Sequence, residues 1–499
     1  MRLVKSFLLG TAAGLAAVAG AQAAQSNKPV QYVKICSLYG DGYYYIPGTD
    51  TCIRITGNAQ FDAGWNTASG AQDSTYTGLA GTRTRASSTF ATRARVDFNL
   101  DTRTMSAYGT ARTYTRLRAD SSTNQAGTDT PAVSAPRAFI QWAGWTFGRV
   151  KSFSDVPTPY DNQWTEPLTD APNRIDTANR GTNEISYTWE LGNGMSLHVG
   201  AGERRSKPVA NLSNFVWTPN VSNIVTPTSS VAGEATPNPF AAFKVSQAWG
   251  RWETSVTANS LRATYYTAPT PGFAGCTLGV ASTLCDHPSD AWGWAVASGT
   301  TINTPWITPG DTFNVYAAFG HGASAYVAGQ NLDSPALYGS GNTLAFGALT
   351  DAVYLNGSGL QLTTTWTVGG AFEHYWTPQL SSTVFGSYTQ ISYNGTVTSG
   401  RWFCGGGGAA VQGPIIPAGA ACDPGFSFSV FGSHTDWYPV PSLRLGVEVL
   451  YTSIGTGFNG TDVTLPTVGA RPAGVYTAKN EGVASFMFRA QRQWPAAGD

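Results

Sequence analysis

Residues 89–120 read "TFATRARVDFNLDTRTMSAYGTARTYTRLRAD", and this stretch decides the fold class. Arg93 and Arg95 alternate with Ala94, Val96, Phe98 and Leu100, and share their phase with Asp97, Asn99 and Asp101. In the second half, Arg112, Arg116 and Arg118 fall in phase with Tyr108 and Tyr114. Period-two alternation marks a strand with one wet and one apolar face. An arginine facing lipid at the bilayer midplane costs about 2–4 kcal/mol. Several in one patch are expected to face a water-filled lumen, with the apolar phase turned to lipid. Arg54 lies in the same phase one strand earlier.

The alternation spreads over the chain. In "CIRITGNAQFDAGW" (52–65), Ile53, Ile55, Ala59, Phe61, Ala63 and Trp65 oppose Arg54, Thr56, Asn58, Gln60 and Asp62. In "TNEISYTWEL" (182–191), Ile185, Tyr187, Trp189 and Leu191 oppose Glu184, Ser186, Thr188 and Glu190. In "SLRLGVEVLY" (442–451), Leu443, Leu445, Val447, Val449 and Tyr451 oppose Arg444 and Glu448. Charged residues are only 12% of the 499, and the chain holds 16 Trp, 22 Tyr, 23 Phe and 57 Gly. That composition favours strands over helices.

Connections alternate in length. Short ones are expected at 101–106, 143–144, 192–194, 249–251, 303–310, 377–379 and 439–442. Long polar ones are expected near 66–88, 119–135, 154–180, 205–239, 263–290, 321–360, 395–425 and 455–480. This pattern predicts an all-β transmembrane antiparallel β-barrel of about sixteen strands, with short periplasmic turns and long extracellular loops. Trp65, Trp189, Trp376, Tyr451 and Trp494 fit interfacial girdles. No repeat of 20–50 residues supports a propeller or solenoid.

The N-terminus carries Arg2 and Lys5, an apolar run from Phe7 to Gly20, and Ala21-Gln22-Ala23. This predicts a signal peptide over residues 1–23 and cleavage after Ala23. Residues 24–51 then form a periplasmic segment, 52–494 the barrel and 495–499 a tail. Six cysteines suit an oxidising compartment. They fall as close pairs, Cys36 with Cys52, Cys276 with Cys285 and Cys404 with Cys422. Fifteen connectivities are formally open, and near neighbours close the smallest loops.

The functional candidates are a basic wall of Arg54, Arg93, Arg95, Arg112, Arg116 and Arg118, and acids in the third long loop: Asp155, Asp161, Glu166, Asp170 and Asp176. If that loop folds inward, its carboxylates face the arginines and set a transverse field across the throat. Other chemistry finds little support. His198, His287, His321, His374 and His434 lack metal-ligand spacing. "GTGFNG" (455–460) matches a dinucleotide fingerprint, but no helix follows it. No enzyme activity, cofactor, metal or nucleic-acid partner is expected.

Four segments resemble the general porins of alphaproteobacteria: "VQYVKICSLYGDGYYYIPGTDTCIRITG" (30–57), "DFNLDTRTMSAYGTARTYTRL" (97–117), "PRAFIQWAGWTFGRVKSFSD" (136–155) and, more loosely, "AFEHYWTPQLSSTVFGSY" (371–388). The resemblance implies a homotrimer of sixteen-stranded barrels in the outer membrane, passing small hydrophilic solutes and ions by passive diffusion. It also implies that Ser154 to Arg180 folds inward as the constriction. That segment is proline-rich here, and "PAAGD" follows Trp494 where such porins end on an aromatic residue. A solute-selective channel and a surface adhesin or receptor barrel are the alternative readings.

Overall fold

The computed structural model describes residues 35–66, 84–86, 89–123, 129–158, 181–214, 229–270, 275–328, 335–406, 416–417 and 419–494. The expected signal peptide and tail lie outside the described residues. Sixteen long strands form one closed sheet. They are β1 (Thr51–Trp65), β2 (Phe90–Ser106), β3 (Gly109–Thr123), β4 (Asp129–Trp142), β5 (Trp145–Val150), β6 (Thr182–Gly192), β7 (Met195–Gly202) and β8 (Asn238–Gln247). The second half comprises β9 (Gly250–Leu261), β10 (Ala291–Asn303), β11 (Thr312–His321), β12 (Thr364–Thr377), β13 (Leu380–Ser392), β14 (Phe426–Val440), β15 (Leu443–Thr456) and β16 (Glu481–Trp494). Each pairs antiparallel with the next, and β16 returns to β1 from Trp65↔Phe486 to Gly57↔Trp494. Closure removes the two edges that an open sheet would leave unpaired in lipid.

The side-chain phase follows the sequence. On β2, Arg93, Asp97, Asn99 and Asp101 are buried, whereas Ala94, Val96 and Phe98 are exposed on the outside. Outward aromatics form two belts. Trp142, Trp145, Trp189, Trp249, Trp376, Trp437 and Trp494 sit near the short turns, and Trp65, Phe90, Trp292 and Trp294 near the long loops. Indole rings have an apolar body and a polar N–H, which suits the bilayer interface.

The short turns are tighter than expected. Strand β2 runs on to Ser106, so its turn is Ala107–Tyr108 and not 101–106. Ala143 and Gly144 both have positive φ, 50° and 84°, as a two-residue hairpin turn with matching twist requires. One expected long loop is short: Ser121↔Pro131 to Thr123↔Asp129 are paired, so 124–128 alone connects β3 to β4. The polar composition of 119–135 concealed that pairing. The expected weak strand near 145–153 is the six-residue β5.

The long connections are folded. Segments 336–338, 343–346, 462–465 and 474–478 make a four-stranded sheet, and 209–211, 352–354 and 361–362 a three-stranded one. Leu337, Leu344, Phe346, Leu349, Phe403, Val463 and Tyr476 pack with inward Phe385, Phe426, Phe428, Leu450 and Ile454 of β13–β15. A dry core therefore fills the long-loop half of the lumen against these strands. This corrects the expectation of a polar inner face throughout. The cysteines bond as Cys36–Cys52, Cys276–Cys285 and Cys404–Cys422, the near-neighbour pairing.

Asp351 anchors this cap. It is fully buried and accepts hydrogen bonds from the backbone N–H of Lys207 and of Ser324, each at 2.7 Å, and from Asn259 Nδ2 at 3.3 Å. Burial pushes its carboxyl up to about 7. An acid with a raised folded pKa contributes stability at low pH that is lost as pH climbs from its unfolded value, about 4, through that window. The cap is expected to unfold more readily above neutrality than at mildly acidic pH, and Asp351→Asn to flatten the dependence. Urea midpoints across pH for both proteins check this.

Candidate functional site

Strand register places the arginines opposite acids. Asp62 faces Arg93, Arg95 faces Asp120 and Asp97 faces Arg118 as direct cross-strand partners. Opposite charges at such positions attract. Arg118 grips Asp97 with two bonds, Nε–Oδ1 at 2.7 Å and Nη2–Oδ2 at 2.9 Å. Arg95 Nη2 donates to Asp120 Oδ2 at 2.9 Å. Arg93 Nη2 donates to Asp62 Oδ2 at 2.7 Å, and Arg489 of β16 takes the other oxygen, Oδ1, at 2.7 Å. Nearer the short turns, Arg112 and Arg103 share Asp101 at 2.8 and 3.2 Å. Arg112 Nη1 also donates to Gln141 Oε1 at 2.9 Å. Arg116 Nε donates to Asn99 Oδ1 at 2.8 Å.

All six expected arginines lie on this inner face, but they differ in what they can offer. Arg93 and Arg118 are buried in their ion pairs. Arg54 and Arg116 have no carboxylate at ion-pair distance among the described residues, and Arg54 is exposed. Arg103, Arg112 and Arg116 remain half-buried. Among the described side chains of β1–β4, eight arginines point inward (54, 93, 95, 103, 112, 116, 118, 137) against four aspartates (62, 97, 101, 120). The wall therefore keeps excess positive charge, concentrated towards the short turns.

The described start of the third connection, residues 152–157, folds inward. Leaving β5, residues 152–157 cross the inner face of six strands. Ser152 Oγ donates to Glu184 of β6 at 2.9 Å, and the Phe153 ring stacks on His198 of β7 at 4.6 Å. Lys244 of β8 lies 5.5 Å from that ring, and Ser255 Oγ of β9 donates to Ser154 O at 2.6 Å. Val156 packs with Ala295 and Ala297 of β10 and Tyr316 of β11. Asp155 corrects the expectation. It is buried in an ion pair with Arg205 at 3.1 Å, on the side away from the basic wall. The chain bends towards β6–β11 before Asp155 is reached, so this carboxylate anchors the loop and does not face the arginines. Asp161, Glu166, Asp170 and Asp176 lie outside the described residues.

Gly299 of β10 lets this segment lie flat. A Cβ there would stand 2.1 Å from Pro157 O. Gly299→Val is expected to lift the segment off the wall and change single-channel conductance by at least about twofold, with the barrel intact by circular dichroism, since interior packing tolerates no such overlap.

Sequence reasoning missed four members of this surface. Arg103 falls in the stretch 101–106 expected to be a turn, whereas β2 runs on to Ser106. Arg137 sits beside the register shift between β3 and β4 at Arg116/Arg118, which breaks simple alternation. Arg489 meets Asp62 only through closure of β16 on β1. Tyr43 lies in a segment with no period.

The family model described as a porin subfamily matches residues 21–486. Porin Omp2b of Brucella canis is 34% identical over 210 residues, which is 39% of this chain and 53% of that protein. Porin Omp2b of Brucella suis biovar 1 matches over the same shares at the same identity. The chain thus spans about half the length of the curated relatives it matches. Among solved structures, the outer membrane channel DcaP of Acinetobacter baumannii aligns with TM-score 0.53 at 14% identity, over 90% of this chain and 99% of that one. That likeness concerns the fold alone. A family match over nearly the whole chain, on a closed sixteen-stranded barrel, settles the family: the chain belongs to the porin subfamily of outer-membrane barrels.

Proposed function

We propose that the barrel is a water-filled channel for passive diffusion of small hydrophilic solutes and ions, with a preference for anions. One observation carries the reading. The inner face of β1–β4 keeps partly exposed arginines in excess over aspartates, while folded loops cover the long-loop half of the inner face of β9–β16. The open path therefore runs beside fixed positive charge, and ring or wall charge of one sign favours counter-ions. The second arm of the site is the third connection, of which Ser152 to Pro157 already narrows the lumen from the far side.

Assembly as a homotrimer accompanies this reading. Small outward residues Ala59, Ala94, Ala119 and Ala490 line an apolar groove of ≈ 700 Å³ on β1–β3 and β16, the face we assign to contact with a second copy. Swelling of liposomes containing the purified protein, in isotonic sugars and amino-acid salts of graded size, tests the channel. Swelling that falls with solute size supports diffusion. Swelling restricted to one solute class favours a selective channel, and no swelling from folded protein favours a receptor barrel.

A further inference from the structure

The segment before β1 is folded into the short-turn mouth. The Cys36–Cys52 disulfide ties it to the start of β1, and Tyr44 and Tyr45 pair with Ile53 and Cys52. Cys36 N donates to Tyr43 O at 2.9 Å, and Ile46 N to Thr51 O at 2.9 Å. The chain thereby doubles back into a clip.

The aromatic rings of the clip meet inward arginines of the basic wall. The Arg103 guanidinium lies 4.9 Å from the Tyr43 ring centroid and 5.5 Å from that of Tyr39. Arg54 lies 5.5 Å from Tyr43. The two rings meet edge to face at 6.0 Å, and Tyr43 is buried. Arg103 is three residues from the end of β2, and both arginines belong to the lumen face. The clip thus lies inside the barrel mouth. Aromatic faces attract guanidinium groups and displace water from them, so these rings cover the positive charge that the wall leaves in excess.

We propose that this disulfide-clipped segment is a second constriction, at the short-turn mouth, and that Tyr43 and Tyr39 set how much arginine charge a passing ion meets there. The proposal rests on the channel reading. It assigns pore selectivity to two uncharged residues outside the barrel strands. It also explains why a clip with only two paired positions is held by a covalent bond. A 15-residue loop free of that bond samples many more conformations.

Three variants of the full chain test it in planar bilayers, read as single-channel conductance and reversal potential in a salt gradient. Tyr43→Ala is expected to raise conductance about 1.5-fold and the anion-to-cation permeability ratio about twofold, because half-buried Arg103 becomes uncovered and Arg54 loses the ring beside it. Tyr43→Phe keeps the ring and is expected to match the wild type. Asp41→Cys places a thiol on the exposed turn of the clip, in a protein whose own cysteines are all bonded. A negatively charged thiol reagent added to the assembled channel from the short-turn side is then expected to reduce current, a readout that does not depend on refolding a variant. If the wild type conducts while Tyr43→Ala leaves both quantities unchanged and the reagent has no effect, the clip is structural only and the proposal fails. If the wild type itself does not conduct, the channel reading fails and takes the proposal with it.

Discussion

Replacing Asp62 with alanine is expected to destabilise the barrel by about 3–5 kcal/mol, the usual consequence of removing one partner from a buried ion pair. Asp62 is fully buried and binds Arg93 of β2 and Arg489 of β16, each at 2.7 Å, with Gln60 Nε2 donating a third bond at 2.7 Å. Its loss leaves two buried guanidiniums facing each other across the seam where the last strand closes on the first. Both the desolvation penalty and the mutual repulsion then lose their nearest compensating charge. Asp62→Asn preserves shape and one acceptor, so it should lose less. Equilibrium urea unfolding in lipid vesicles, together with the loss of heat-modifiable gel migration, measures both. A surface pair such as Arg262–Asp290, at 3.0 Å and partly exposed, provides the control, because exposed pairs contribute about 0.2–1 kcal/mol.

The second large effect concerns selectivity. Arg54→Glu with Arg116→Glu is expected to reverse the sign of the reversal potential, from anion-preferring to cation-preferring. Neither of these two arginines has a carboxylate at ion-pair distance among the described residues, so reversing them leaves the lattice of Asp62, Asp97 and Asp120 pairs intact. At low salt a unit charge a few ångströms from an ion in water is worth about 1 kcal/mol, and salt screens it over roughly 8–10 Å. Two reversals change the wall by four unit charges and therefore shift the permeability ratio by at least about tenfold at low salt, and by less at high salt. Arg93→Gln with Arg118→Gln is the contrast. Those side chains are buried in ion pairs, so this variant should lose stability and leave the sign unchanged.

Much of this architecture was legible in the residues because lipid enforces strict rules. The alternation of Arg93 and Arg95 with Val96 and Phe98 has one solution in a membrane. The long and short connections then give strand number and orientation. What escaped prediction depends on register and on distant contacts. Sequence places Asp97 and Arg118 on one face, but only the pairing of β2 with β3 sets them opposite each other, turning a supposed arginine ladder into a lattice of ion pairs. Asp62 and Arg489 are brought together by barrel closure across 427 residues. Asp155 looked like a throat carboxylate because it opens an acidic stretch, yet the chain turns before it and buries it on Arg205. The dry core under the loops was hidden for a related reason. Phe426, Phe428 and Val430 alternate with Ser427, Ser429 and Phe431, a pattern compatible with either face.

The measurement that tests the central claim most directly is the reversal potential of wild-type channels in a planar bilayer under a salt gradient, at neutral pH and low ionic strength. Excess arginine along β1–β4 predicts open channels whose reversal potential has the sign of anion preference, weakening as salt rises. Open channels with a stable cation preference would contradict the claim that this wall borders the conducting path, and correctly folded protein without conductance would contradict the channel itself.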